Sequence, residues 1–132
     1  MNNIDNFMQL PSNFQNGIIQ CTNIVLEQNI PDLVSILLFG SCARNEINVM
    51  SDIDIAIVTK DIIRDRSIRG SIRSDFEDLN NGLTADAVFT TVEKLSNSNE
   101  LLYQDIRRDG IILWEDGEYI GDFKRLSVIC EK

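Results

Sequence analysis

Asp52 and Asp54 stand one residue apart in "SDIDIAIV", and ten residues separate this pair from an upstream Gly40-Ser41 step. On a strand, residues i and i+2 point to the same side, so both carboxylates would face one way and repel each other unless a cation lay between them. Hard divalent cations such as Mg²⁺ take oxygen donors, and one or two carboxylates with a triphosphate complete such a coordination shell. Asp86, in the next alternating segment "LTADAVFT", offers a third carboxylate and would allow a second ion. Gly40 lets the backbone pass close to a ligand, and Ser41 with the amides that follow it could donate to phosphate oxygens. Taken as a unit, these residues describe a strand, a Gly-Ser turn, a short helix and a return strand, with triphosphate and metal meeting at the turn.

Each part alone has a plainer reading. An isolated Asp-x-Asp is more often a solvated strand face, Asp86 a surface acid and Gly-Ser a simple turn. A calcium-binding loop is excluded, because it requires a third oxygen ligand and then a glycine after the aspartates, where Ala56 and Ile57 stand.

The elements that must position these residues follow from periodicity. Phe14, Ile18, Cys21, Ile24 and Val25 recur at helical spacing and predict a helix from about Ser12 to Asn29 with Pro11 in its first turn. "LVSILLF" reads as a strand covered on both faces. "SCARNEI" predicts one or two helical turns with Ser41 as cap and Glu46 inside them. In "DIDIAIVT", Ile53, Ile55 and Ile57 alternate with Asp52, Asp54, Ala56 and Val58. Residues 60–81 carry helical spacing interrupted near Gly70 and closed by "NNG", and "LTADAVFT" is a third strand. A helix over residues 91–110, broken around Ser96 to Asn99, precedes a short strand "IILWE". In the tail, "DFKRLSVICE" reads as a last helix. The expectation is a single α/β (α+β) domain over residues 1–132, a small mixed sheet flanked by helices.

Composition narrows the function classes. A chain of 132 residues with 43% hydrophobic and 25% charged residues suits one globular domain. No apolar run approaches the roughly 20 residues needed to span a bilayer. The opening "MNNIDNFMQLPSN" lacks a basic and apolar leader, so a cytoplasmic location is expected. Cys21, Cys42 and Cys130 have no metal-ligand spacing and the chain has no histidine, which argues against zinc and for small buried thiols. A net charge of -9 argues against generic nucleic-acid binding.

Gly40-Ser41, "GSCARNE" and "SDIDIAIV", with Asp86 in "ADAVF", together resemble the minimal nucleotidyltransferases of the DNA polymerase beta superfamily, with the motifs within about residues 30–115. That resemblance implies the nucleotidyltransferase fold and transfer of a nucleoside monophosphate, most readily AMP from Mg-ATP, to a hydroxyl. By position it implies that Asp52, Asp54 and Asp86 are catalytic and hold two Mg²⁺ ions. Gly40 and Ser41 would bind the β- and γ-phosphates, with Arg44 assisting at a phosphate or in a structural pairing. Asn45 stands where the family has glycine, and asparagine tolerates the left-handed conformation such a turn requires.

Minimal members of that family act as antitoxins that add AMP to a tyrosine of a small HEPN-type partner, while others modify aminoglycosides through an additional helical domain. The acceptor wall is therefore expected from a partner protein or from a second copy of the chain. The rival to a working transferase is a non-catalytic antitoxin module that blocks its partner by binding. Arg66, Arg69 and Arg73 fall at i, i+3 and i+7 with Arg64 nearby, either as a solvated helix face or as a contact for nucleotide or partner.

Overall fold

The computed structural model describes residues 4–48, 50–80 and 82–119. The elements run α1 (Ile4–Met8), α2 (Ser12–Glu27), β1 (Leu33–Phe39), α3 (Gly40–Ala43), β2 (Ile53–Thr59), α4 (Arg66–Phe76), β3 (Ala85–Thr91), α5 (Val92–Asn97), α6 (Leu101–Asp109), β4 (Ile111–Glu115) and β5 (Glu118–Tyr119). The strands form one mixed sheet in the order β3-β2-β1-β4-β5. β2 and β3 run parallel, joined by the α4 crossover, and the other neighbours are antiparallel. This is the flanked mixed sheet that the alternating segments imply.

The strict alternation of β2 sorts its side chains into two cores. Ile53, Ile55 and Ile57 are fully buried on the face that also takes Phe7, Phe14, Ile18, Val25, Ile72 and Phe76. Ala56 and Val58 join Leu37, Phe39, Tyr103 and Ile106 in a smaller cluster on the other face. Buried Gly17 lets α2 lie close to the sheet, since a Cβ there would come within 2.9 Å of Ile53 Cδ1.

Several boundaries differ from the sequence expectation. α2 stops at Glu27, and Asn29 beyond it takes a left-handed φ of 51°. α4 begins only at Arg66, because the Asp65 carboxylate caps it by accepting from the Ser67 amide at 2.8 Å, so Ile62 and Ile63 precede the helix. Gly70 sits inside α4 facing open space and does not interrupt it. α3 is a single turn entered from the extended backbone of Phe39, so Ser41 is within the turn rather than its cap and Glu46 lies beyond it.

The break between α5 and α6 falls at residues 98–100, close to the expected one. α1 and β5 went unforeseen. β5 follows an Asp116-Gly117 turn with φ of 50° and 95°, which closes a two-residue hairpin. The helix expected in the tail lies outside the described residues. Among the described residues no helix is long and apolar enough to cross a membrane.

Candidate active site

β1 delivers the chain to Gly40 at one end of the sheet. There φ is +72°, a conformation L side chains rarely adopt, and a Cβ would run into the Asp54 carboxylate. Glycine is required at this position on both counts. In the β1–β2 ladder Phe39 pairs with Asp54, and in the parallel β2–β3 ladder Asp54 pairs with Asp86. The sheet register thus sets the Gly40 turn, Asp54 and Asp86 side by side on three adjacent strands.

Asp54 is half-buried, whereas Asp52 and Asp86 are exposed. Asp52 immediately precedes β2. Its Oδ1 accepts from Thr84 Oγ1 at 2.7 Å, and its backbone carbonyl accepts from the Cys42 thiol at 3.6 Å. Among the described residues, no three acids, cysteines or histidines stand close enough to hold a metal ion as they are placed. The three aspartates that the sequence puts forward are therefore neighbours, but Asp52 is drawn to Thr84 instead of completing a closed ligand set.

Burial pushes the Asp54 carboxyl up to about 6, and the negative charges of Asp86 and Asp52 add to this while Arg44 works against it. Burial also pushes the Cys42 thiol up to about 12, with Asp54 and Asp52 contributing. Cys42 is a neutral packing residue under the site, and Cys21 beside it is likewise a buried free thiol. Carboxylate oxygens are donors of the kind that suits Mg²⁺, and Asp52, Asp54 and Asp86 are the residues that would hold such an ion if their side chains converged on it.

The flanking residues hold this arrangement in place. Ser41 Oγ lies 3.5 Å from Ser51 Oγ, which itself accepts from the Asn48 amide at 2.8 Å. Arg44 reaches Glu46 at 3.4 Å and Asp109 at the end of α6 at 3.7 Å, so of its two expected roles the structure displays the structural pairing. Asn45 takes φ 55°, the left-handed turn expected of it.

α1 braces the turn from outside. Asn6 Nδ2 donates to the Ala43 carbonyl at 2.8 Å, and Asn45 Nδ2 donates to Gln9 Oε1 at 3.0 Å. Sequence reasoning missed these supports because α1 has only five residues, with Phe7 as its fully buried anchor, too few for a helical period to show.

The chain matches the polymerase beta nucleotidyltransferase family over residues 11–119. It belongs to that family. Among solved structures, this nucleotidyltransferase is similar to a chain of a toxin-antitoxin complex with AMP-PNP, at 26% identity and a TM-score of 0.56, covering 86% of this chain and 83% of that one. It is also similar to a chain of the toxin-antitoxin MntA-HepT, at 25% identity and a TM-score of 0.50 over 86% and 80% of the two chains. A nucleotidyltransferase from Sulfolobus solfataricus shares the fold at 24% identity and a TM-score of 0.54, over 85% of this chain and 96% of that one. No curated protein matches the chain.

On the α4 face of the sheet, opposite the face that carries Asp54, a cleft of about 290 Å³ is lined by Arg73, Glu77, Ala85, Asp86 and Ala87. The Arg73 guanidinium lies over the Phe89 ring, 4.8 Å from its centroid.

Proposed function

We propose that the protein is a cytoplasmic antitoxin that transfers AMP from ATP to a tyrosine hydroxyl of a HEPN-type toxin partner. The observation that carries this reading is the register that sets Asp54 against Asp86 beside a Gly40 turn pressed on the Asp54 carboxylate. Likeness to a chain from a toxin-antitoxin complex with AMP-PNP supports an adenine nucleotide and a toxin partner.

Asp52, Asp54 and Asp86 would hold two Mg²⁺ ions, which when bound lower the pKa of the attacking hydroxyl and neutralise charge on the departing pyrophosphate. The Gly40 turn and the Ser41 hydroxyl hold the β- and γ-phosphates, and the glycine lets the chain approach them without a side chain in the way. Asp86, on the open side, receives the proton of the acceptor hydroxyl. The acceptor oxygen bonds to the α-phosphorus as the bond to the bridging oxygen breaks, and pyrophosphate leaves.

The test is incubation of the purified chain with Mg²⁺, ATP labelled at its α-phosphate and the product of the neighbouring gene. Mass spectrometry should find an added AMP on the partner with the wild type and none with Asp52→Asn combined with Asp54→Asn. A second reading, a module that neutralises its partner by binding alone, is favoured by the bond that turns Asp52 toward Thr84. It wins if the double variant still neutralises the partner and no AMP is ever added.

A further inference from the structure

We propose that Thr84 is a positioning residue for the metal site: its hydroxyl holds one oxygen of the Asp52 carboxylate and leaves the other to the ion. The inference rests on the reading of Asp52, Asp54 and Asp86 as Mg²⁺ ligands.

The sheet register puts Thr84 at the fourth corner of the site. Ile53 pairs with Ala85 and Asp54 with Asp86, so one step back Asp52 stands beside Thr84. Residues two apart share a face, and Asp52, Asp54, Thr84 and Asp86 therefore form one group of three carboxylates and a neutral hydroxyl. The Thr84 carbonyl accepts from the Ile53 amide at 3.1 Å, which fixes the backbone under that hydroxyl level with Asp52.

The two aspartates around Ile53 are held differently. Asp54 lies within β2, half-buried, with the Gly40 turn pressed on its carboxylate. Asp52 precedes the strand and is exposed. Its backbone carbonyl accepts from the Cys42 thiol, but that contact does not orient the side chain. Like charges on Asp54 and Asp86 push the Asp52 carboxylate toward solvent. Among the described residues, the side-chain donor that opposes this is Thr84 Oγ1, at 2.7 Å from Oδ1.

The strand end has no need of the hydroxyl, since valine has the same branched shape and suits a strand as well. What threonine adds is a donor. Its bond takes one of the roughly four acceptor positions of a carboxylate, so Oδ2 stays open to a cation. Carboxylates that ligate metals are themselves oriented by such hydrogen bonds, and loss of one costs roughly 10–100-fold in metal affinity.

The test is a titration of the metal-free chain with Mn²⁺, which takes the same oxygen donors as Mg²⁺, followed by the electron paramagnetic resonance signal of the free ion. Thr84→Val should weaken binding about tenfold, the low end of that range because both side chains are exposed. Thr84→Ser, which keeps the donor, should stay within about twofold of wild type. The urea midpoint of the metal-free Thr84→Val protein should match wild type, so that the loss is one of metal affinity and not of folded protein. Equal affinity in Thr84→Val and wild type overturns the proposal, as does a Thr84→Ser protein as weak as Thr84→Val. Tighter binding by Thr84→Val also overturns it and would make Thr84 a competitor that draws Asp52 off the ion. A wild-type chain that binds no Mn²⁺ ends the metal-site reading and this proposal together. If the valine variant loses affinity and the serine variant keeps it, yet no AMP is ever transferred to the partner, the transferase reading fails while the role of Thr84 at the ion stands.

Discussion

On one face of β2, Ile53, Ile55 and Ile57 are sealed against the helices, whereas on the other Asp54 stands half-buried at the head of a row completed by Ala56 and Val58. The same seven residues thus contribute to a thick core and to a carboxylate site, separated only by the two-residue period of the strand. The thick face collects apolar side chains from α1, α2 and α4. The thin face, which carries Asp54, is covered by α5 and α6 through a smaller cluster around Tyr103 and Ile106. A site that crowds like charges is destabilising in the absence of cations, and the isoleucine face supplies the burial that offsets it.

The largest effect should come from the thick face. Ile57→Ala removes a side chain with no exposed surface and is expected to cost about 2–5 kcal/mol of unfolding free energy. AMP transfer per folded molecule should stay close to wild type at low temperature. Urea denaturation with transfer measured on the same samples checks both, and a loss of transfer that exceeds the loss of folded protein would show that the two faces are coupled.

Asp54 should behave in the opposite sense. Its carboxyl is raised to about 6 from an ordinary 3.8, so the folded state holds the proton more tightly than the unfolded state. Stability from that proton is fully present below about pH 4 and is lost as pH rises through about 6. Metal-free protein should therefore lose about 1–2 kcal/mol from this group between those limits, after allowance for solvent screening. Asp54→Asn should flatten that slope, make the metal-free protein more stable at pH 7, and remove the rise in melting temperature expected when Mg²⁺ is added to the wild type. Denaturant midpoints at several pH values decide it, and an unchanged slope in the variant would show that Asp54 is not the group responsible.

The same contrast explains what could be read from the sequence. The alternation in β2 and β3 is written directly into "DIDIAIVT" and "ADAVF", so the face of every residue in those strands could be assigned before the fold was known. The gap between α5 and α6 was legible from its polar Ser and Asn residues. The Thr84–Asp52 bond was not, because it depends on the register between two strands, which periodicity does not specify. The start of α4 was misplaced because Ile62 and Ile63 keep helical spacing, while the Asp65 cap that sets the boundary is a chemical signal rather than a periodic one. The bracing of the Gly40 turn by Asn6 and Gln9 joins residues more than 30 apart through polar side chains, and such contacts leave no pattern along the chain.

The smallest expected effect lies on the thin face and tests whether its few contacts are individually important. Thr90 Oγ1, on β3, donates to the Tyr103 hydroxyl on α6 at 3.0 Å, and both residues are buried. Tyr103→Phe keeps the ring and its packing but leaves the Thr90 hydroxyl without that acceptor, at a cost of about 1 kcal/mol. Thr90→Val with Tyr103→Phe removes both polar partners, so the double variant should recover much of the loss. Chemical denaturation of the two variants checks this. A Tyr103→Phe protein as stable as wild type would mean that α6 is held to the sheet by the packing of residues 103 and 106 alone, and that the thin face owes none of its stability to the Thr90–Tyr103 hydrogen bond.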